Sequence, residues 1–468
     1  MKVYILGAGP AGLAVADGLT DNKKGNFILL EKGPNLGGLA QTVKWNQIGS
    51  HDLGPHKIFS LDQALVNRVE NLLPNQDWLT REKVSSIYMK GHYLPYPPSP
   101  FSLAGVFGLP AFVRMVIGYG FAKISSMVSS AEAETFEEDL SGRVGRPLYE
   151  HLFKPIAVKL WGDPKTLDVK LSKGRVQTPS LLEVLGRLLK IKKSSQFEAL
   201  TFRYPKGGLG RIWQAIATKS QAQGKILLEH EVTGLEFEGR KISQILFKSN
   251  GVDGKFEIGP DDQVVSTLPL NHTIKIMSKA LPPHFQGLAE KVVDLNDLLL
   301  VFLHVEQTSL LKESWVFIPD PDVIFHRISE QESFDPAMTT DGSIVCCEIM
   351  SSKIRPLAGK SDGELSSLAV DGLRSMGYLF KVLDQKVIRL PKSYPVFGSG
   401  FEAGLAEIIQ RLDQFENFRS IGRQGAFNYI GTMDAMDIGY GYANWIKTAQ
   451  AQPWKEERER TNHYPVLD

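Results

Sequence analysis

Residues 2–12 read Lys2-Val-Tyr-Ile-Leu-Gly7-Ala-Gly9-Pro10-Ala11-Gly12. A short apolar strand runs into Gly7-x-Gly9-x-x-Gly12, and a helix-like run from Leu13 to Leu19 follows. That order is what a dinucleotide fingerprint requires. Gly7 permits the tight turn, Gly9 lets the backbone approach a pyrophosphate, and Gly12 lets the helix pack on the strand. The pyrophosphate then sits on the helix N-terminus, where free N–H groups and the dipole favour negative charge. Phe27 to Glu31 reads as the second strand and ends in an acid 19 residues after Gly12. A carboxylate there can accept hydrogen bonds from ribose hydroxyls and disfavours a 2′-phosphate.

Composition sets the outer limits. A chain of 468 residues suggests one to three domains, and 43% hydrophobic with 22% charged residues is the balance of a soluble globular protein. A net charge of +1 gives no reason to expect nucleic acid or a generally acidic partner. The only cysteines, Cys346 and Cys347, are adjacent in a strand-like run from Ser343 to Met350, so they point to opposite faces. They suit neither a disulfide nor a metal site, no metal is expected, and a reducing, cytoplasmic setting fits. The nucleotide-binding strand begins at residue 2, which argues against a signal peptide.

After Glu31 comes Lys32-Gly-Pro-Asn-Leu-Gly37-Gly38-Leu39-Ala-Gln-Thr42. An acid followed by a Gly-Gly loop and a Thr resembles the FAD-binding signature of the amine oxidase, protoporphyrinogen oxidase and UDP-galactopyranose mutase superfamily. That signature often has Arg where this chain has Leu39. Other segments resemble it too. Arg203-Tyr-Pro-Lys-Gly-Gly-Leu-Gly210 looks like the return to the FAD domain. Ile226 to Val232 looks like the strand whose Val borders the adenine. Asp262 to Pro269, with Thr267, looks like the strand and turn that leave the domain. Gly422-Arg423, then Tyr429 and Met433-Asp434, looks like the final flavin-contacting segment.

The resemblance implies an α/β fold with a discontinuous Rossmann-like FAD-binding domain over 1–75, 200–270 and 405–450. A mainly helical insertion over 76–199 and a mixed-sheet substrate domain over 271–404 complete it. Strand-like runs at Leu298–Val305 and Ser343–Met350 suggest the floor of a substrate pocket. The stretch Phe101 to Ala122 carries one charge, Arg114, and several Gly and Pro breaks. It reads first as a buried or surface helix pair, with peripheral membrane contact through 101–122 as the alternative and a true span disfavoured.

Three places stand out for chemistry. Gly54-Pro55-His56 resembles the Gly-Pro-His stretch that lies against the isoalloxazine in the mutases, where an imidazole can hydrogen-bond flavin or substrate. Trp161-Gly162 followed by Arg175 looks like the mutases' Trp-Gly segment and its Arg; a core Trp at a helix end is the equal alternative. Phe325-x-Arg327-x-x-Glu330 resembles the strand whose Arg reaches the substrate, and a guanidinium suits a phosphate or carboxylate. An Arg327–Glu330 surface pair is the plainer reading. The mutases' two C-terminal tyrosines correspond here to Phe427 and Ile430, and a second Arg is missing from Val176-Gln-Thr-Pro-Ser180.

The resemblance therefore implies an FAD-dependent oxidoreductase of the protoporphyrinogen oxidase-like group, with hydride transfer from a substrate C–H bond to flavin N5. A nucleotide-sugar mutase using reduced FAD without net redox change is the first alternative, and a non-catalytic flavin-binding protein the second. The expected partner is a small molecule, with nucleotide sugars or lipid-linked precursors suiting either catalytic reading.

Overall fold

The computed structural model describes residues 1–21, 26–128, 132–175, 201–461 and 464, with Val128 and Arg175 described by backbone alone. A five-stranded parallel sheet lies at the centre. Its strands run side by side as Phe418–Ser420, Gln263–Ser266, Val3–Leu6, Phe27–Leu30 and Gly224–Leu227. In chain order that is 5-4-1-2-3, the doubly wound nucleotide-binding order, with its switch point between Val3–Leu6 and Gln263–Ser266. The two inner N-terminal strands are buried along their whole length, as expected for a parallel sheet covered on both faces.

The Pro10–Thr20 helix opens with Pro10, whose missing N–H costs nothing in a first turn. It packs between the Thr432–Lys447 and Gly210–Ser220 helices. Gly439 makes the first contact possible: a Cβ there would stand 2.2 Å from the Ala11 carbonyl oxygen.

A seven-stranded mixed sheet forms the second layer. Its order is Val382–Val396, Asp294–Val305, Ser343–Ser351, Arg327–Glu330, Trp315–Phe317, Ser85–Met89 and His92–Pro95. The expected runs at 298–305 and 343–350 are neighbours in it, paired antiparallel. Cys346 and Cys347 are free thiols buried in clusters on opposite faces, and burial raises both thiol pKa values.

Two expectations need correction. The block 76–199 is not helical from its start: Trp78–Glu82, Ser85–Met89 and His92–Pro95 are strands. Lys90 and Gly91 both take positive φ, which makes a tight hairpin turn of the kind that matches strand twist. Lys-Gly is a weaker signal for that turn than Asn-Gly, so the hairpin is hard to read from sequence. Secondly, Ile226 and Val232 lie on different strands. Gly224–Leu227 belongs to the parallel sheet, the chain turns at Glu229 (φ 57°), and His230–Glu238 starts a separate three-stranded antiparallel sheet.

The apolar stretch 101–122 lies in a pair of helices, Pro100–Phe107 and Leu109–Val128, broken at Gly108 with φ 78°. Among the described residues, no helix is long and apolar enough to cross a membrane.

Candidate functional site

The carboxyl ends of the parallel strands carry the fingerprint residues. Gly7 has φ 100°, and a Cβ on it would lie 2.6 Å from the Thr267 hydroxyl. Thr267 in turn donates to the carbonyls of Leu6 (3.0 Å) and Gly7 (3.3 Å), which clamps the switch point. A Cβ on Gly12 would stand 2.0 Å from the Gly7 carbonyl oxygen. Gly7 and Gly12 are therefore glycines because of the protein's own packing.

Gly9 differs. Its backbone is extended (φ −72°, ψ 176°), and a Cβ on it would meet nothing within 4 Å. Nothing in the chain itself demands glycine there. Gly9 also stands at the N-cap of the Pro10–Thr20 helix with no side chain capping the first turn. The open Cβ position and the uncapped helix end form a cradle for an anionic group.

Three further segments close on that cradle. Gly37 donates its N–H to the Ala8 carbonyl at 2.8 Å, and a Cβ on Gly38 would lie 3.2 Å from Gly9 Cα. Gly37 itself (φ 102°) makes room for the indole of Trp213. The Glu31 carboxylate accepts N–H groups from Ala8 (2.8 Å) and Gly33 (2.9 Å), which fix its direction while leaving lone pairs for a ribose. Gly422, at φ 85°, brings the C-terminal segment to Ala11, where its Cβ would lie 3.0 Å from that of Ala11. Lys32 is exposed and Leu39 half-buried on the rim of this loop.

Some expected cofactor residues are occupied otherwise. The Thr42 hydroxyl donates to Asp52 and accepts from the Gly210 N–H at 2.7 Å, tying the glycine loop to the helix behind it. Val232 is buried, with its carbonyl 3.3 Å from His272 Nε2. Met433 belongs to the core. Asp434 accepts the Gly431 N–H at 3.0 Å, which starts the Thr432–Lys447 helix.

Beyond Gly422 the remaining candidates form a cluster of side chains. Gly54 (φ 96°) turns the chain over Glu348: a Cβ on it would be 3.6 Å from the Glu348 carboxyl carbon. Arg327 pairs with Glu348, Nε to Oε1 at 2.5 Å and Nη2 to Oε2 at 2.8 Å. The two residues stand directly opposite on adjacent antiparallel strands. The expected Arg327–Glu330 pair does not form. Glu330 is buried and accepts from the Leu310 and Leu311 N–H groups and the Ser343 hydroxyl.

His56 is half-buried above this pair, with Nδ1 at 3.1 Å from the Gly54 carbonyl. A carbonyl only accepts, so Nδ1 carries the proton and Nε2 is left as an acceptor. Burial and the nearby Arg327 and Arg423 charges push its pKa down to about 4. The guanidinium of Arg423 lies over the rings of Tyr394 (5.3 Å) and Tyr429 (5.0 Å) and donates to the Ile430 carbonyl at 2.8 Å. Tyr429 meets Trp161 edge-on at 6.2 Å, and Trp161 is also 5.7 Å from Phe136. The indole Nε1 is buried without a hydrogen-bond partner. Arg423, Tyr429 and Trp161 thus follow one another in contact, and the charges of Arg327 and Arg423 both act on His56. Phe427 and Ile430 are buried in the core. Arg175 ends the Val169–Arg175 helix; its side chain, and Val176 to Ser180, lie outside the described residues.

Sequence reasoning missed three supports. Glu348 is a lone acid inside an apolar strand, which was the available signal. Asp52 is buried and accepts from Thr42, Tyr204 and the Leu209 N–H; burial raises its pKa to about 6. Lys159 is buried and donates to the carbonyls of Ile318, Val323 and Phe325 at 2.9, 2.8 and 3.1 Å. Burial and Arg355 lower its pKa to about 7. It fastens the helix that precedes Trp161 to the segment that leads into Arg327. Among the described residues, no cluster of His, Cys, Asp and Glu could hold a metal ion.

Comparison with known proteins agrees with the geometry. Residues 5–72 match the model of the NAD(P)-binding Rossmann-like domain family. The fold is similar to that of a reduced UDP-galactopyranose mutase, with TM-score 0.83 and 20% identity over 97% of this chain and 95% of that one. A protein assigned as protoporphyrinogen oxidase from Exiguobacterium sp. 255-15 gives TM-score 0.71 and 17% identity, over 96% of this chain and 99% of that one. Cyclohexylamine oxidase from Brevibacterium oxydans IH-35A gives 0.67 and 15%, over 96% and 99%. The chain shares the fold of these three proteins.

Proposed function

We propose that the chain is an FAD-dependent oxidoreductase of the protoporphyrinogen oxidase-like group, acting on a small-molecule substrate. The observation that carries the reading is the juxtaposition of two unlike sites. An uncapped glycine crevice with a fixed ribose acceptor adjoins a pocket whose Arg327 is already neutralised by Glu348. The second glycine pair, Gly37-Gly38, lying on Ala8 and Gly9, supports FAD as the dinucleotide.

Gly9, Ala11, Gly12, Glu31, Gly38 and Gly422 would hold the cofactor's phosphates and ribose. When bound, FAD supplies a two-electron acceptor for a substrate C–H bond. His56, neutral above about pH 4, presents Nε2 as a hydrogen-bond acceptor. A base that weak orients a substrate N–H or O–H and does not abstract a proton from carbon at neutral pH. Arg327 points one paired, directed cation at the pocket, suited to a carbonyl or single carboxylate. Trp161 and Tyr429 supply an apolar wall that excludes water, and the unpartnered Trp161 N–H offers one more directed donor.

A second reading, a nucleotide-sugar mutase, is favoured by the extent of the fold likeness to UDP-galactopyranose mutase. The burial of Phe427 and Ile430 in the core weighs against it, because neither offers a hydroxyl to a diphosphate. Anaerobic absorption spectra of the purified protein with candidate substrates separate the two. Bleaching of the oxidised flavin on mixing is expected. Turnover only after prior reduction, without flavin consumption, would transfer the assignment to the mutase.

A further inference from the structure

The Leu109–Val128 helix presents one apolar face to the protein and another to solvent. Met115 and Gly118 point inward; a Cβ on Gly118 would lie 2.8 Å from Pro147. On the other side Val113, Val116, Ile117, Phe121, Ile124 and Met127 are exposed, Phe121 by 69% and Met127 by 81%. At 3.6 residues per turn these six fall within an arc of about 140°. Arg114 projects at one edge of that arc and Lys123 at the other. Phe101, 77% exposed, extends the patch onto the preceding helix. Lys90, whose ammonium lies 5.0 Å over the ring of Phe107, places a third cation at that end of the helix pair.

The charges are of one sign. From residue 83 to 128 the chain carries Lys83, Lys90, Arg114 and Lys123 and no Asp or Glu. The carboxylates on the elements packed behind the helix are taken up locally: Glu137 by Arg146 and Tyr149, Asp139 by Arg143, Glu150 by Lys154, and Glu138 in its own helix cap. We infer that this face docks on an anionic phospholipid surface. The exposed apolar residues enter the acyl boundary, and Arg114 and Lys123 reach the phosphates from either side, their stems lying along the apolar surface. The helix lies in the interface and does not cross it, as its hydropathy requires. A second copy of the chain is the poorer occupant. Self-pairing would set these cations against one another, with no carboxylate from residues 83–128 to answer them.

The site gains from this placement. The docked helix packs on Phe136–Val144, and Phe136 touches Trp161. A lipid-dissolved molecule would leave the membrane within two layers of side chains of the pocket wall.

Flotation of the purified protein with phosphatidylcholine vesicles, with and without phosphatidylglycerol, tests the inference. The protein should float with the anionic vesicles and much less with the neutral ones. Ile117→Ser with Phe121→Ser should lower bound fraction by more than about tenfold, since binding scales with inserted apolar area. Arg114→Glu with Lys123→Glu should abolish the preference for anionic lipid, each cation being worth roughly fivefold. Ile117, Phe121 and Arg114 are exposed and Lys123 is half-buried, and unchanged circular dichroism melts would confirm that both variants fold. Failure of the wild type to float with either vesicle, or flotation of the serine variant at the wild-type level, would overturn the proposal. So would light scattering that shows a dimer dissociated by the serine variant, since a second copy would then cover the face.

Discussion

The crevice at the ends of the parallel strands is built from backbone, and the pocket beside it is built from side chains. On the proposed function, the working atoms of the crevice would be peptide groups around Gly9, Ala11 and Gly38, held by short-range turns and one carboxylate. In the pocket they belong to His56, Arg327, Arg423, Tyr429 and Trp161, which come from four distant parts of the chain. A backbone site tolerates almost no added atom but asks little of its neighbours. A side-chain site tolerates changes of type but depends on partners such as Glu348 and Lys159. The two should therefore fail in different ways when mutated.

The largest contrast lies within the glycine motif. Gly9→Val should abolish FAD binding while leaving the fold intact, because its Cβ meets nothing in the protein and its φ is ordinary. Gly12→Val should fail to fold, because its Cβ meets the Gly7 carbonyl at 2.0 Å. Flavin content and thermal melts of the two variants decide this. Normal flavin in Gly9→Val would mean that the crevice is only a turn.

Next comes the ion pair. Arg327→Ala leaves Glu348, 1% exposed, without its two donors. Breaking a buried pair costs about 3–5 kcal/mol; because the Arg327 side chain is 24% exposed, solvent screening reduces the expected loss to about 1–3 kcal/mol. Chemical denaturation measures it. Arg327→Lys keeps the charge but not the fork, so turnover should fall more than FAD content or stability. Equal loss of flavin and turnover would move Arg327 from the substrate side to the cofactor side.

Glu31→Ala should weaken FAD binding by about 1–3 kcal/mol, the cost of losing charged hydrogen bonds. Titration of apoprotein with FAD gives the value, and an unchanged dissociation constant would remove Glu31 from the ribose site.

The last test concerns His56, whose effect shows only in acid. Its folded pKa, about 4, lies below the ordinary 6.5. Between these values the folded chain binds fewer protons than the unfolded one, so stability is full above pH 6.5 and falls as pH drops toward 4. In His56→Asn that part of the acid destabilisation should vanish. Melts of both proteins from pH 4 to 7 compare the slopes; parallel slopes would show that His56 titrates normally.

How legible each region was follows from the same difference. The crevice depends on spacing within about 25 residues, so Gly7, Gly9, Gly12 and Glu31 could be found by reading along the chain. Arg327 was visible as a cation in a strand, but its partner was not. Glu330 is three residues away in sequence, whereas Glu348 is opposite only once the strand register is set. Register depends on the whole sheet and on the turns between its strands. Asp52 and Lys159 gave no local signal at all, since their chemistry is shifted chiefly by burial, with Arg355 adding to it at Lys159. The Ser85–Met89 hairpin was hidden for a related reason: its place is decided by pairing with Trp315–Phe317, more than two hundred residues later.

The strand order of the parallel sheet also bears on how the chain is made. Val3–Leu6, its central strand, leaves a ribosome well before the neighbour of its neighbour, Phe418–Ser420. At 5–20 residues per second that separates them by roughly 20–80 s. During that interval Phe27–Leu30 can cover one edge of the first strand; Gln263–Ser266 covers the other only in the later part, and the Gly422 loop is missing throughout. The crevice is therefore only partly built until the segment around Gly422 has been made.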